Sequence, residues 1–325
     1  MAAGIEVLET LVGAGLRPRH DIEVVSFVEE EGTTFRCPLA GSKALTGVLD
    51  VDDLKGLLDE DGRSFHDVAR SFGLAPDRLA DDLYDPGAVK SMFELHHRAG
   101  AVLESLGIPV GIVRHIAGSD NHRVRLAGRA NHAGTTPDAP EVRRLACAAE
   151  CIAGVERYAA DPGRADTVAT VGRILCLPNA VNVIPGRVEF SIDVRDVDDE
   201  RIARASREIL AEVGSIAGRR GIACEQETTG SSVPRPMSPR IVDLLQKLAT
   251  RLGIRCHPMA SGALHDAAMM TRVTDVGMIF VPSRDGRSHT PREWTDYADI
   301  EHGANLLLAA VVEESGADIE PPAIQ

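Results

Sequence analysis

The order of helical and strand-like patterns changes twice along the chain, and this limits the folds that the sequence can adopt. Between about Ser119 and Thr229 the pattern is strand, helix, two strands and helix, which is typical of a small antiparallel sheet with helices on one face. Before and after this block, amphipathic helices alternate with short apolar strands. We therefore predict an α/β domain in two parts, residues 1–118 and 230–325, interrupted by an inserted α+β domain, residues 119–229.

Local patterns predict the individual elements within this plan. Short helices are expected between Ala40 and Arg70, and a linker over Ser231–Pro239. The other predicted elements are strands over Ile22–Val28, Leu106–Gly118, Asn121–Gly134, Thr167–Pro178, Arg187–Val197 and Val276–Pro282, and helices over Val89–Leu95, Glu141–Ala160, Asp199 to about Ala217, Arg240–Leu252 and Ile300–Glu314.

An amphipathic helix begins almost at the first residue, with apolar side chains at Ile5, Leu8, Leu11 and Val12. No Ser, Thr, Asp or Asn precedes this helix as an N-cap, and no strand-like segment comes before it. A domain rarely opens in the middle of a helical pattern. We therefore expect the sequence to be truncated at its N-terminus.

The net negative charge of the chain argues against several classes of partner. The chain has 325 residues and a formal net charge of −14, so we expect neither nucleic acid nor an anionic membrane as a partner. No apolar run has the length of a membrane span, and the N-terminus lacks the features of a signal peptide. The cysteines include no CxxC pair, and Cys147 and Cys151 are predicted to be core residues of a helix. A reducing, cytoplasmic location is expected.

Three consecutive carboxylates, Glu29, Glu30 and Glu31, follow the predicted strand Ile22–Val28 and precede Gly32. Adjacent carboxylates repel one another, and burying them is costly unless a positive charge neutralises them. Two interpretations are open. The cluster is either a solvated acidic loop, or a group that faces a cation at the C-terminal end of a strand, where open α/β sheets bind ligands.

Histidines occur in four turns at the ends of predicted elements. A single histidine is more often a structural residue than a ligand. Four such turns together with the acidic cluster favour a metal-dependent site, because imidazole and carboxylate groups are metal ligands and proton acceptors. The segments are FELHH with His96 and His97, NHAGTTP with His132, SGALHDA with His265, and DGRSHTPREW with His289.

A series of motifs, in a fixed order, connects these residues to a known family. The motifs are EEEG, ELH, NHAGTTP, PNAVNVIPG, the DVR of FSIDVRD, SGALHDA and FVPSRDGRSHTPRE. The set closely resembles the amidase/hydantoinase/carbamoylase family of dinuclear-metal amidohydrolases, which belongs to the wider aminoacylase and carboxypeptidase clan. The resemblance covers essentially the whole chain. It implies a mixed-sheet, metallopeptidase-like catalytic domain and an inserted, ferredoxin-like α+β domain that serves as a lid and in dimerisation.

The resemblance implies a centre of two divalent metal ions, zinc or manganese, with cobalt and nickel also suited to such nitrogen and oxygen ligands. In the family's pattern, Glu30 is the general base, and Glu31, His96 and His289 are metal ligands. His132 of the inserted domain is implied to polarise the scissile carbonyl, reaching across a homodimer interface.

The implied substrate is an N-carbamoyl-L-amino acid or a related ureido acid of the allantoate type. In the family's pattern, Asn182 and Arg195 bind this substrate, and Arg195 binds its carboxylate. A planar guanidinium suits bidentate binding of such a carboxylate. Backbone groups of Ser261, Gly262 and Ala263 are implied to complete the carboxylate pocket.

Departures from the family's pattern keep a second hypothesis open. The family's two remaining metal ligands, a His in an SHLD-like motif and a bridging Asp in a YDG-like motif, lie upstream of the segment that matches GIEVLETL. The alternative is therefore a degenerate, non-catalytic relative that retains dimerisation or binding of small carboxylates. Departures on the substrate side occur at Thr34, Arg98, Ala99, Asp138, Glu141 and Leu264.

Overall fold

The chain folds into two compact units. The computed structural model describes residues 1–97, 101–137, 143–164 and 166–319. The first unit comprises Met1–Ile116 and Pro236–Gln325, and the second comprises Ala117–Arg235. Both units combine helices with a sheet, so the predicted α/β fold class with mixed sheets is confirmed.

The first unit is built from helices and mostly short strands on both sides of the second unit in the sequence. Short 3-10 helices cover Pro76–Asp82 and Arg284–Gly286. The other elements before the second unit are α1 (Ala2–Gly13), β1 (Leu16–Arg17), α2 (Ala40–Leu45), α3 (Val51–Gly56), α4 (Phe65–Ser71), β2 (Ser91–His96), α5 (Val102–Leu106) and β3 (Val110–Ile116).

The second unit follows directly, with a 3-10 helix over Pro162–Arg164. Its elements are β4 (Gly118–Ala127), β5 (Asn131–His132), α6 (Arg144–Ala159), β6 (Val168–Thr170), β7 (Ile174–Leu177), β8 (Val183–Ile184), β9 (Arg187–Asp196), α7 (Asp199–Arg219) and β10 (Ala223–Ser232). The chain then continues through β11 (Arg235–Pro236), α8 (Pro239–Arg251), β12 (Cys256–Ser261), α9 (Asp266–Met270), β13 (Asp275–Phe280), α10 (Tyr297–Ser315) and β14 (Asp318–Ile319).

The sheet of the first unit is mixed. Strand β13 pairs with β2 in parallel, from Asp275 opposite Ser91 to Phe280 opposite His96, and with β3 in antiparallel orientation. Strand β12 runs parallel to β3. Because β2 and β13 are parallel, both end at the same edge of the sheet, and this places His96 beside the start of the loop after β13.

Helices α8 and α10 contribute to the core of this unit. The apolar residues of α8 recur with a spacing of three and four, which gives the helix one apolar side. Ile241 and Leu245 of α8 are fully buried, as are Leu306 of α10 and Phe280 of β13. The sheet edge that carries His96 therefore rests on a close-packed core.

The second unit has the strand–helix–strand–strand–helix–strand order of a ferredoxin-like fold. Its antiparallel sheet has the order β10–β4–β9–β6, and β7 also pairs with β9. Alternate residues of β4 and β9 point to opposite faces, so Val124, Phe190 and Ile192 are buried with α6 and α7 while charged residues occupy the other face. Strands β5 and β8 form a separate antiparallel pair.

Two of the predicted elements are wrong. Residues Val89–Leu95 were predicted to be helical, but Ser91–His96 form β2. A short apolar run is ambiguous between helix and strand, and here pairing with β13 along the whole segment determines the outcome. Residues Ile22–Val28 were predicted to be a strand, but they form no ladder with any strand of the described chain.

The segment Ile22–Val28 nevertheless packs through part of its surface. Ile22 and Phe27 lie against the core of the first unit, whereas Val25 and Val28 are exposed. The β-favouring composition therefore indicates that part of the segment packs on the core, but a strand also needs a neighbour with free backbone groups.

Other predicted boundaries differ in detail. The predicted strand Thr167–Pro178 is divided into β6 and β7, and the predicted linker Ser231–Pro239 contains the end of β10 and all of β11. Strands β10 and β12 were not predicted at all. Much of β10 is polar and exposed, so it lacks the apolar alternation that identifies a half-buried strand.

Within the described ranges, none of the helices has the length and apolar character required to cross a membrane. All six cysteines are free thiols, and Cys147 and Cys151 are buried in the core of the second unit, as predicted.

Candidate active site

The three consecutive glutamates have different structural positions. The Glu29 carboxylate accepts hydrogen bonds from the backbone N–H groups of Thr34, at 3.1 and 3.3 Å, and Phe35, at 3.1 Å. It therefore closes the turn that follows. Gly32 in this turn has a φ of +66°, and a Cβ there would lie 2.5 Å from the Pro38 nitrogen, so the position requires glycine.

Glu30 belongs to a group of three potential metal ligands with His96 and His265. One donor atom from each residue lies within 4.8 Å of the other two. The rings of His96 and His265 meet edge to face, with their centroids 4.8 Å apart. His96 is the last residue of β2, whereas His265 is the N-cap of α9 and is fully buried.

Glu31 lies beside His289, and Glu31 Oε1 is 3.1 Å from His289 Nε2. His289 lies in the loop after β13 and has a φ of +58°, which is unusual for a residue with a side chain. The backbone N–H of His289 donates a hydrogen bond of 2.8 Å to Glu293 Oε2, and Glu293 Oε1 contacts His97 Nε2. His97 also stacks on His96, with the ring centroids 5.0 Å apart. A series of contacts through Glu293 and His97 therefore links the Glu31–His289 pair to the group of Glu30, His96 and His265.

The imidazole of His265 has polar neighbours on both sides. Its Nε2 lies 2.8 Å from Ser261 Oγ at the end of β12, and its Nδ1 lies 3.5 Å from Glu94 Oε1. Burial alone would raise the pKa of Glu94, but His265, His96 and the Ala267 N–H outweigh it, so this pKa is lowered. Among the described residues, His265 Nδ1 has no hydrogen-bond partner although it is buried.

A second layer connects this region to α2. The Ser42 hydroxyl donates a hydrogen bond of 2.5 Å to Asp266 Oδ1, and both side chains are buried. Burial, opposed by the Ser42 hydrogen bond and reinforced by the charge of Glu94, raises the pKa of Asp266 to about 6. Helix α9, which follows His265, is thereby attached to α2, which follows the glutamates.

These residues fit a divalent cation. Two imidazoles and a carboxylate are ligands that zinc and other transition ions accept. A buried nitrogen without a hydrogen-bond partner is uncommon in folded proteins, and an ion is one of the groups that satisfies it. The centre can therefore hold an ion through His96 and His265, with the Glu30 carboxylate next to it and Glu31 and His289 as a second pair of donors.

The predicted site residues of the second unit lie on two sheets, the β5–β8 pair and the larger sheet that contains β9. His132 of β5 pairs with Val183 of β8, and the backbone N–H of Ala133 donates to the Asn182 carbonyl at 2.9 Å, so His132 and Asn182 are neighbours. The His132 Nδ1 accepts a hydrogen bond of 3.1 Å from the Gly134 N–H. Arg195 lies on β9, and its hydrogen bonds to Asp193 raise the pKa of its guanidinium against the opposing effect of burial.

The segment Ser261–Ala263 was predicted to bind a carboxylate through its backbone, and this remains a prediction. The structure shows that the Ser261 side chain has another contact, since Ser261 Oγ lies next to His265 and accepts a hydrogen bond of 3.2 Å from the Ala263 N–H. Of the departures from the family's pattern, Arg98, Ala99, Asp138 and Glu141 lie outside the described residues.

Several residues of the site were not assigned from the sequence. His265 was noticed in SGALHDA but received no role, and FELHH contained the signal for His97 beside His96. Four of the remaining residues lie inside the quoted motifs but were given no role, and only Ser42 lies outside them. The remaining residues are Ser42, Glu94, Asp193, Asp266 and Glu293.

The mixed α/β unit, its carboxylate and imidazole group and the inserted ferredoxin-like unit define a two-unit protein of the metallopeptidase-like class. The model of the peptidase family M20/M25/M40 matches residues 1–313, and the chain belongs to this family, whose members are typically dinuclear metal enzymes.

Similar proteins include enzymes that act on ureido compounds. The chain is 38% identical to the N-carbamoyl-L-amino acid amidohydrolase of Geobacillus stearothermophilus over 95% of this chain and 75% of that protein. It is 34% identical to the allantoate amidohydrolase of Escherichia coli (strain K12), over 93% of this chain and 72% of that protein. An amidase of the hydantoinase/carbamoylase family from Burkholderia multivorans has a crystal structure that superposes with a TM-score of 0.87 at 31% identity, covering 98% of this chain and 76% of that one. The predicted resemblance is thus confirmed.

Proposed function

We propose that the chain hydrolyses the ureido C–N bond of an N-carbamoyl-L-amino acid or a related ureido acid, with two divalent ions, zinc or manganese, as cofactors. The observation that carries this proposal is the convergence of Glu30, His96 and His265, whose donor atoms lie within 4.8 Å of one another in a chain with the family's motif series. In the overall reaction, one ureido group and one water give the free amine, carbon dioxide and ammonia.

A ureido carbon is a poor electrophile, so both the nucleophile and the carbonyl need activation. When bound, a divalent ion supplies Lewis acidity and brings the pKa of water towards neutrality. Glu30 is proposed to accept the proton of the attacking water on its carboxylate and to pass it to the leaving nitrogen. His96, Glu31 and His289 are proposed to hold the ions.

The residues of the second unit receive their roles from the motifs. His132 is proposed to donate a hydrogen bond to the carbonyl oxygen as negative charge develops there. Arg195 is proposed to bind the substrate carboxylate through its guanidinium, with Asn182 as a further contact and the backbone of Ser261, Gly262 and Ala263 completing the pocket. A homodimer formed through the second unit is proposed on the same basis, and sedimentation equilibrium tests it directly.

The proposed reaction is tested with purified chain, dialysed against chelator and reloaded with zinc or manganese. We expect ammonia and a free amino acid in equal amounts from an N-carbamoyl-L-amino acid, ammonia also from allantoate, and no release without metal. A chain that binds metal and ureido acid in calorimetry, but releases no ammonia from either substrate, supports the non-catalytic alternative instead.

A further inference from the structure

We infer that His265 is a metal ligand in this chain, and that its Nδ1 supplies the second imidazole nitrogen to the ion that His96 holds. This inference rests on the proposed function, since it concerns the same centre. The family's pattern places ligands at Glu31, His96 and His289 and gives no such role to the His of SGALHDA.

The first argument is the position of the imidazole. The donor atoms of Glu30, His96 and His265 all lie within 4.8 Å of one another. Donors that share an ion with bonds of about 2.1 Å lie about 3.4 Å apart in tetrahedral geometry. The His96 and His265 nitrogens therefore need to approach by no more than about 1.4 Å to share one ion, with the Glu30 carboxylate beside it.

The second argument is the state of the two ring nitrogens. Nε2 has a partner, Ser261 Oγ at 2.8 Å, and this contact also identifies the ring orientation, because a flipped ring would place a carbon there. Nδ1 is buried and has no hydrogen-bond partner in the described part of the chain. A zinc-binding histidine has this arrangement, with one nitrogen held by a protein group and the other directed at the metal.

The third argument is the group on the far side of Nδ1. Glu94 Oε1 lies 3.5 Å from Nδ1 without hydrogen-bond geometry, and Glu94 Oε2 accepts a hydrogen bond of 3.1 Å from the Ala267 N–H. If Nε2 carries the ring proton, an Nδ1 lone pair faces a carboxylate, and a cation relieves this repulsion. If Nδ1 carries the proton, the Glu94 carboxylate 3.5 Å away faces that proton, and the ring cannot bind an ion through this nitrogen. A bound ion satisfies Nδ1 in the first tautomer.

The experiment measures metal binding without turnover. The full chain is freed of metal by chelator and titrated with Co²⁺, and the visible absorption of the bound ion and the dissociation constant are recorded. His265→Gln and His265→Ala are compared with wild type, with His96→Gln as the variant of an expected ligand. His302→Ala, an exposed histidine on α10, is the matched control.

We expect both His265 variants to raise the Co²⁺ dissociation constant at least about 100-fold, as loss of a ligand exceeds the effect of losing an outer hydrogen-bonding partner. The visible spectrum should also change, while His302→Ala binds as wild type does. Melting curves with and without Zn²⁺ separate binding from folding, since a purely structural His265 would lower the apo melting temperature and leave the Zn²⁺-induced increase intact.

The inference is overturned if wild type binds no ion, or if the His265 variants bind Co²⁺ within about twofold of wild type while His96→Gln does not. Ammonia release is measured on the same samples at saturating metal. Turnover by wild type together with unchanged metal affinity in the His265 variants would reject this ligand but leave the proposed function standing.

Discussion

Asp193 and Arg195 form a two-point ion pair on one face of β9. Arg195 Nε donates to Asp193 Oδ1 at 2.8 Å, and Arg195 Nη2 donates to Asp193 Oδ2 at 2.9 Å. Residues two positions apart on a strand point to the same side, which is why these side chains meet. The carboxylate thus fixes the plane of the guanidinium that is proposed to bind the substrate.

Replacing Asp193 by Asn is expected to raise KM for an N-carbamoyl-L-amino acid about fivefold and to change kcat less than about twofold, because the pair is partly exposed and is worth about 1 kcal/mol. Steady-state kinetics of wild type and of the Asp193→Asn variant gives KM and kcat separately. Glu227→Gln, which removes the partner of Arg123 at 3.6 Å on the same sheet, serves as the control and should leave KM unchanged. A fall in kcat with constant KM would contradict a positioning role for Asp193.

The position of Glu30 beside the imidazoles leads to a second prediction. Glu30→Gln should reduce kcat by at least about 100-fold, because a neutral amide accepts no proton, while the Co²⁺ dissociation constant changes by less than about tenfold. Stopped assays of ammonia release and Co²⁺ titration measure the two effects on one preparation. A variant that loses metal and activity together would show that Glu30 acts as a ligand instead of a base.

The neighbouring carboxylate provides the control for this experiment. Glu29 accepts hydrogen bonds from Thr34 and Phe35 and has no assigned part in the chemistry. Glu29→Gln should lower the free energy of unfolding by about 1 kcal/mol and keep kcat within about threefold of wild type.

The sequence predicts much of the fold because periodicity follows burial. Helix α7 was predicted over Asp199 to about Ala217 and spans Asp199–Arg219, and its buried Ile202, Ile209, Val213 and Ile216 recur at helical spacing. Strand β9 was predicted over Arg187–Val197 and spans Arg187–Asp196 with strictly alternating burial over most of its length. β2 was mistaken for a helix because its residues are all half-buried, so no face is distinguished and only β13 determines its structure.

The site is predictable only where the motif series gives a residue a role. Glu30, Glu31, His96 and His289 were predicted because the family's motif series contains them, since neither an acidic run nor a single histidine is specific by itself. Ser42 is an ordinary serine in the sequence, and its bond to Asp266 spans 224 positions of the chain. Only the fold, through the packing of α2 on α9, reveals such a partner.

The turn that contains the glutamates depends on one glycine. In Gly32→Ala the new Cβ would lie 2.5 Å from the Pro38 nitrogen, in addition to the strain of a φ of +66°. We expect a loss of about 2–4 kcal/mol in the free energy of unfolding and a fall in metal affinity, because Glu30 and Glu31 lie in the turn that the Gly32 N–H closes on the Glu29 carbonyl. Chemical denaturation and Co²⁺ titration measure the two effects.

Gly62→Ala is the matched control for this substitution. Gly62 has a φ of +79° but open space at its Cβ position, so alanine there adds strain without a clash. It should cost about 1 kcal/mol and leave metal affinity unchanged. Equal losses of stability in the two variants would show that the contact with Pro38 relaxes at little cost.

Acid should weaken the second unit through Glu189. Hydrogen bonds from Arg187 and Arg125 lower the pKa of this buried carboxyl to about 2, against the opposing effect of burial. The folded pKa lies below the unfolded value of 4.5, so the unfolded chain binds more protons between pH 4.5 and 2, and stability falls as pH decreases through this range. The contribution of Glu189 is therefore complete above pH 4.5 and lost near pH 2.

In Glu189→Gln this contribution is absent at every pH. We expect the variant to be less stable than wild type by about 2–3 kcal/mol at pH 7 and the difference to shrink steadily between pH 4.5 and 2. Urea unfolding at a series of pH values gives both curves, and Glu156→Gln, an exposed residue of α6, is the control that should follow wild type. A constant difference across the whole series would show that the arginines stabilise residue 189 through packing and not through its charge.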